Sequence, residues 1–362
     1  MNLSSPSVLS LLTELISEDL VEQIGSGDSS GGRKPKLYTL THNSFFVLGI
    51  DIDLYSTRMA IYNNNNKEVS EIKEFKTDIY HQESILNKIF QIANEIIFSS
   101  KINSDRIIGV GIGMPGLIDL DAGVNYTYLN DDEESIQSIL EKMFSKPVFI
   151  INDAQAKSIA ELRFGEAKGK KNVLVLNVSS GLGTGLILNG KVYYGANGFS
   201  GEFSHTPFVE DGILCSCGKK GCLETVASGL ALKREAIEGL KSGRSSIVLD
   251  IVNGDLDAIS SRHIVKAAKQ GDEFSIKLVS KVGYELGRGA SVLVQTLNPE
   301  LIVVGGHVSQ AGEFLTLPME QALNEHTLYK IKESVKIVRS QLGENANLLG
   351  LVAYVMENVL EN

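Results

Sequence analysis

The order of apolar strands and amphipathic helices is written into this chain twice, and that doubling restricts the fold more than any single motif. FFVLGIDI, from Phe45, is an apolar run of strand length, MAIY is its hairpin partner, ESILNKIFQIANEIIF is an amphipathic helix and IIGVGI is the next strand. PVFIIND then enters the helix AQAKSIAELRF. The pattern begins again at NVLVLNV and continues through TGLILNGKVYY, a hairpin whose Asn189-Gly190 suits a type I′ turn. A long helix, FSIKLVSKVGYELGRGASVLVQTL, precedes the strand LIVVGG. Two α/β halves are therefore expected, with the last helix, NLLGLVAYVMENVL, returning to the first. At 362 residues and 43% hydrophobic content the chain has material for two such domains and a small appendage.

Residues 1–40 stand apart from that pattern. Ser5 is placed to cap a helix with Pro6 at its first position, and Val8, Leu11, Leu12, Leu15 and Ile16 fall on one helical stripe. LVEQI reads as a strand, GSGDSSGGRKP as a long polar turn and KLYTL as the returning strand. Helix followed by a hairpin with a basic tip is the back half of a winged helix, without its two earlier helices; the alternative is a peripheral arm packed on the main body. The start NLSSPSVLS lacks the basic and apolar regions of a secretory signal, and no segment has the length of a membrane span, so a soluble cytoplasmic protein is expected. A formal charge of -10 opposes nucleic-acid binding over the whole surface and leaves GGRKPK, residues 31–36, as the local basic device.

Two glycine clusters follow strands: SGLGTG, with Gly181, Gly183 and Gly185, and the pair Gly305 and Gly306. Such loops let backbone N–H groups approach phosphate, although tight turns need glycine as well. Asn152 and Asp153 stand at a strand exit, where a carboxylate takes a proton from a substrate hydroxyl and an amide holds another; equally, the pair caps the helix that follows.

All three cysteines lie in CSCGKKGC. An odd number in a reducing compartment argues against a disulfide set, leaving buried free thiols or three quarters of a metal site. Zinc wants four tetrahedral ligands, and Cys215, Cys217 and Cys222 supply three on a glycine-bearing knuckle. His205, ten residues upstream of Cys215, is the nearest fourth, with Asp211 as the competing oxygen ligand. Folding the knuckle would bring Glu202 and Glu224 beside the imidazole, whose second nitrogen remains a donor. Two carboxylates and that donor suit the hydroxyls of a sugar; the alternative leaves both glutamates in solvent.

These residues resemble the ROK family, named for repressors, open reading frames and kinases. GEFSHTPFVEDGILCSCGKKGCLE is similar to its zinc signature, and GMPG, NDAQA, SGLGTG and NPELIVVGG resemble its other motifs in order, from about Phe45 to the C-terminus. The resemblance implies two actin-like and hexokinase-like (ribonuclease H-like) α/β lobes around a cleft, residues 41–152 plus 340–362 and residues 153–339, preceded by a partial winged-helix segment in residues 1–40. It implies zinc on His205, Cys215, Cys217 and Cys222, and sugar contacts from Gly116, Asn152, Asp153, Glu202, His205 and Glu224. In kinases of the family Asp153 would be the general base, with ATP and Mg²⁺ held near Asp51, Gly181, Gly183, Gly185, Gly305 and Gly306. Ser204, Gln155 and His307 depart from the family pattern. The largest departure is DIDLYSTR, where Asp53 and Leu54 replace two glycines of the first phosphate loop.

Three functions follow as expectations. The first is a sugar-responsive repressor, a homodimer whose closure on sugar shifts two DNA-reading heads, with Ser7 and Ser10 facing a groove and Arg33 and Lys34 at the wing. The chain would then be a shortened form needing its two earlier helices to hold operator DNA. The second is an ATP-dependent sugar kinase using Asp153. The third is a sugar-binding interaction protein with neither activity.

Overall fold

The structure, a computed structural model, describes residues 4–28, 34–80, 82–129 and 134–360, without the side chains of 82–84. Backbone contacts divide it into two units, the first comprising the described parts of 1–116, 122–151 and 351–362, and the second residues 117–121 and 152–350.

The first unit opens with helix α1 (Ser5–Ser17) and an antiparallel hairpin, β1 (Val21–Ser26) with β2 (Lys36–Leu40). The cap of α1 is Ser4, one residue earlier than expected: its hydroxyl accepts from the Ser7 N–H at 3.4 Å and leaves Pro6 in the first turn, where a missing N–H costs nothing. The apolar stripe is where its spacing puts it, yet no residue of α1 is buried, and Val8, Leu11, Leu15 and Ile16 remain exposed. Arg106 ties this arm down, donating to Glu18 O at 3.2 Å and Asn43 O at 3.5 Å.

The remainder of the unit is a five-stranded sheet. β3 (Phe46–Ile52), β4 (Ser56–Asn63) and β5 (Lys73–Lys76) form an antiparallel meander. Helix α2 (Gln82–Ser100) leads to β6 (Ile107–Met114), parallel to β3, and α3 (Ile136–Phe144) leads to β7 (Val148–Asn152). The strand order is β5-β4-β3-β6-β7. β3 is buried along almost its whole length, as expected of a central strand covered on both faces.

The second unit repeats this plan. Helix α4 (Asp153–Phe164) precedes β8 (Val173–Val178), β9 (Leu182–Leu188) and β10 (Lys191–Val192), again an antiparallel meander. The β9–β10 turn carries Asn189 at φ +54° and Gly190 at φ +77°, the left-handed pair of a type I′ turn. Helices α5 (Gly229–Lys241), α6 (Ser261–Lys269) and α7 (Glu273–Leu297) lead to β11 (Leu301–Gly305), parallel to β8. Helix α8 (Glu313–His326) packs along α7 and delivers β12 (Lys336–Arg339), giving the order β10-β9-β8-β11-β12. Helix α9 (Ala346–Leu360) closes the chain. Residues 340–350 fall with the second unit, where the Ser340 hydroxyl donates to buried Glu161, so the return to the first unit begins later than residue 340. No helix among the described residues is long and apolar enough to cross a membrane.

Candidate functional site

The segment between β10 and α5 has no counterpart in the first unit, and it holds the chemistry. Gly201, at φ +92°, turns the chain into a short 3-10 helix, Glu202–His205, and a side chain there would collide with Thr184 O on β9. Buried Gln155, on α4, clamps the approach to that turn, its amide donating to Gly198 O at 2.7 Å. The knuckle follows, with the Gly218 N–H on Cys215 O at 3.0 Å and the Cys215 N–H on Lys219 O at 2.8 Å. A bridge between Pro207 and Cys222 then closes the loop onto itself.

This backbone brings four side chains together: the ligand atoms of His205, Cys215, Cys217 and Cys222 all lie within 4.8 Å of one another. His205 Nδ1 is 3.5 Å from Cys215 Sγ, and Cys217 Sγ is 3.6 Å from Cys222 Sγ. Ligands of tetrahedral zinc stand about 3.8 Å apart along each edge, so the set has the spacing of a four-ligand metal site. Burial and the neighbouring thiols push Cys222 up to about 12; for Cys217, burial is outweighed by hydrogen bonds from the Lys219 N–H and the other two cysteines, which hold it down. A divalent cation held by these sulfurs would draw them to thiolate, so the set fits a metal by its geometry and by the chemistry of its donors. Asp211, the competing ligand, is exposed and outside this group.

Carboxylates crowd against the cluster. Glu202 Oε2 lies 3.8 Å from His205 Nε2, the nitrogen turned away from the cysteines. Burial, then the charges of Asp153 and Glu224, push Glu202 up to about 7, which equips it to donate as well as accept. Glu224 Oε1 is 4.0 Å from Cys215 Sγ, and its Oε2 accepts the Leu182 N–H at 3.2 Å. Asp153 occupies the first turn of α4 and pairs with Lys157 at 3.0 Å. Asn152 caps that helix, its Oδ1 accepting the Ala154 N–H at 2.9 Å. The second unit thus gathers Asp153, Glu202, His205 and Glu224 into one neighbourhood, with Asn152 beside Asp153.

The glycine loops are used differently. Gly183 and Gly185 lie inside β9, where a Cβ would stand 2.8 Å from Ala154 Cβ in the first case and collide with Ser158 in the second; they let α4 lie close on the sheet. Gly306, at φ +83°, passes so near the end of β8 that a side chain would strike Val178 O, while Gly305 pairs with Asn177. Gly181 faces Glu224, whose Oε2 a Cβ would approach to 2.7 Å.

In the first unit, Gly116 turns at φ +104° against Asn125 and Thr127, and Asp51 stands opposite Arg58 in the β3–β4 ladder. The β3–β4 turn is closed: Asp53 Oδ1 accepts the Leu54 N–H at 2.7 Å, and the Asp53 N–H donates to Ser56 O at 2.8 Å. Ser7 serves the α1 cap, Ser10 and Lys34 are exposed, and Arg33 lies outside the described residues.

The ROK family model matches residues 47–358. The chain belongs to the ROK family. Among its relatives, a xylose repressor of Caldicellulosiruptor bescii is 30% identical over 361 residues, covering 99% of this chain and 90% of the relative. A glucokinase of Halalkalibacterium halodurans is 35% identical over 254 residues, covering 69% of this chain and 76% of that enzyme. A solved ROK family transcriptional regulator, described as a homologue of the E. coli MLC protein, superposes with a TM-score of 0.81 at 24% identity, over 99% of this chain and 90% of that one. The ROK fold of two related α/β units therefore extends over this chain, and its relatives include both repressors and kinases.

Residues that sequence reasoning missed are those acting across the fold. Lys157 stands one helical turn after Asp153, a spacing visible in the sequence; the ties made by Arg106 bridge 63 and 88 residues and leave no such signal.

Proposed function

We propose that this chain is a sugar-responsive transcriptional repressor of the ROK family. Carbohydrate hydroxyls would be held by Asn152, Asp153, Glu202, His205 and Glu224, with zinc on His205, Cys215, Cys217 and Cys222. Bound there, zinc would supply a cross-link between the 3-10 turn and the knuckle. His205 then presents Nε2 to Glu202, and Glu224 spans from the knuckle to the Leu182 amide, so each hydroxyl-binding group is oriented by a neighbour rather than by solvent. Operator DNA would be met by residues 1–40, in a homodimer, with α1 as the reading helix and the β1–β2 tip as the wing.

The observation that carries the reading is the closed β3–β4 turn. A phosphate there needs free backbone N–H groups, whereas the Asp53 carboxylate already occupies the Leu54 amide and adds negative charge where a polyanion would sit. The match to a repressor over 99% of the chain supports the same reading. Retention of Asp153 at the start of α4, together with the glucokinase relative, favours a second reading as an ATP-dependent sugar kinase with Mg²⁺. Its pairing with Lys157, whose Nζ lies 3.0 Å from Asp153 Oδ2, occupies one carboxylate oxygen and counts against that reading.

Selection from a randomised DNA duplex library by a form carrying the two earlier winged-helix helices, combined with an ADP-release assay of the chain over pentoses, hexoses and N-acetylhexosamines, tests the assignment. Enrichment of a duplex that is released by the sugar that raises the melting temperature, with no ADP formed, is expected. Sugar-dependent ADP release would overturn it in favour of the kinase; sugar binding with neither activity would leave an interaction protein.

A further inference from the structure

The three cysteines of the knuckle differ in their surroundings. Cys215 and Cys222 are buried, 5% and 0% exposed, whereas Cys217 belongs to an exposed run, residues 216–220. Cys222 is anchored: it bridges to Pro207, and the next residue, Leu223, donates to Thr206 O at 3.1 Å and packs its side chain over Gly289 on α7. Cys215 Sγ is turned inward, 3.5 Å from His205 Nδ1 and 4.0 Å from Glu224 Oε1. Of the three, Cys217 is the one whose sulfur a solute can reach, and that sulfur lies 3.6 Å from the buried Sγ of Cys222.

The two glycines between these cysteines are placed differently as well. Gly221, at φ +70°, is locked against the body of the loop, where a Cβ would collide with Val209 O. Gly218, at φ +84°, has open space where a Cβ would stand, with no atom within 4 Å. The tip is therefore free to carry Cys217 toward a fixed Cys222. A disulfide joins sulfurs about 2.05 Å apart, so the 3.6 Å separation has to shrink by about 1.5 Å. A side-chain rotation with a small shift of an exposed tip supplies that.

We propose that Cys217 and Cys222 are an oxidative modification site, which a hydroperoxide closes to a disulfide. The Cys217 sulfur attacks a peroxide oxygen: an S–O bond forms, the O–O bond breaks, and the second oxygen takes a proton and leaves as water or an alcohol. The Cys222 sulfur then attacks the sulfenic sulfur: the S–S bond forms, the S–O bond breaks, and hydroxide takes a second proton and leaves as water. Two thiolates give up two electrons and the hydroperoxide accepts both. The bond itself needs only this sulfur geometry. Its consequence rests on the zinc and sugar reading given above: closure leaves His205 and Cys215, two ligands where tetrahedral zinc takes four, and so releases the metal and loosens the hold on Glu202 and Glu224. A cellular thiol reverses the bond, because one of its sulfurs is exposed.

Graded hydrogen peroxide added to the full chain, its zinc content measured beforehand, tests the proposal by intact mass, peptide mapping after alkylation and a chromogenic zinc chelator. Expected are a mass lower by about 2 Da, a cross-link joining Cys217 to Cys222 with Cys215 still open to alkylation, and one zinc released per bond. Sugar affinity should fall at least about tenfold and return with dithiothreitol and added zinc. The chain unfolded in urea is the control, in which pairing should spread over all three cysteines. Sulfinic acid at Cys217 without a disulfide, a bond to Cys215 in the folded chain, or thiols left intact at a peroxide concentration that oxidises the unfolded chain overturns the proposal. A Cys217–Cys222 bond in a chain that held no zinc upholds the modification site and refutes the zinc reading.

Discussion

The β3–β4 and β8–β9 turns occupy equivalent places in two sheets of the same strand order, and each has a carboxylate on a backbone amide. In the first, Asp53 bonds its own neighbour, Leu54, and the interaction ends there. In the second, Glu224 reaches the Leu182 N–H from 42 residues along the chain, with its other oxygen 4.0 Å from Cys215 Sγ. One carboxylate closes a turn; the other ties a turn to the cysteine knuckle. The same fold, used twice, has placed its polar chemistry where an insertion supplies side chains from elsewhere in the sequence.

That contrast can be broken most strongly at the knuckle. Cys222 is fully buried, and Cys222→Ser should abolish stoichiometric metal binding and cost about 3 kcal/mol or more. Metal analysis and thermal melting measure this, and hydrogen exchange should localise the loss to 202–225 while β3 and β4 keep their protection. Next comes Glu224→Ala, which removes a carboxylate of the proposed sugar site and leaves the Leu182 amide unpartnered; sugar affinity should fall by about 2 kcal/mol, roughly thirtyfold, by calorimetry. The matching change in the other turn, Asp53→Ala, exposes an amide already near solvent and should shift stability by no more than about 0.5 kcal/mol with sugar affinity unchanged.

A different effect separates the units by pH. His307 is held below its unfolded value of 6.5, at about 4, by burial and the charges of Arg262 and Lys157, against the opposing pull of Glu344. The unfolded chain therefore takes up the proton first. Stability associated with this group is complete above 6.5 and declines as pH falls toward 4. Denaturant titrations should show His307→Asn losing less stability than wild type across that interval. A local change is expected from Arg106→Ala, which frees Glu18 O and Asn43 O: the amides flanking these two carbonyls should exchange faster while global stability falls by less than about 0.5 kcal/mol.

What was legible in the sequence was local. Strand runs, the Asn189-Gly190 turn and the helix α7 pattern depend on neighbours within a few residues, and each forms where its spacing indicated. His205 through Glu224 was legible for a related reason, because knuckle, imidazole and glutamates all fall within 23 residues, from Glu202 to Glu224. The cap of α1 falls one residue before the expected Ser5 because Ser4 and Ser5 are chemically equivalent, and only backbone conformation separates them. Gly183 and Gly185 were recognised as glycines with a purpose, but their purpose, admitting α4 against β9, exists only once helix and sheet are packed. Gln155 departs from the family pattern, but its role as a clamp exists only once folding brings Gly198 O within 2.7 Å of its amide. The stripe of α1 was equally clear, whereas its exposure is a tertiary fact that periodicity does not contain.

The central claim is that the cysteine knuckle arranges the carbohydrate site. Sugar affinity measured side by side on metal-loaded wild type and on Cys217→Ser, an exposed position in the knuckle, tests it most directly. One zinc per chain in the wild type and an affinity reduced at least about tenfold in the variant are predicted. Absence of zinc from the wild type, with identical sugar binding by the two proteins, would contradict it.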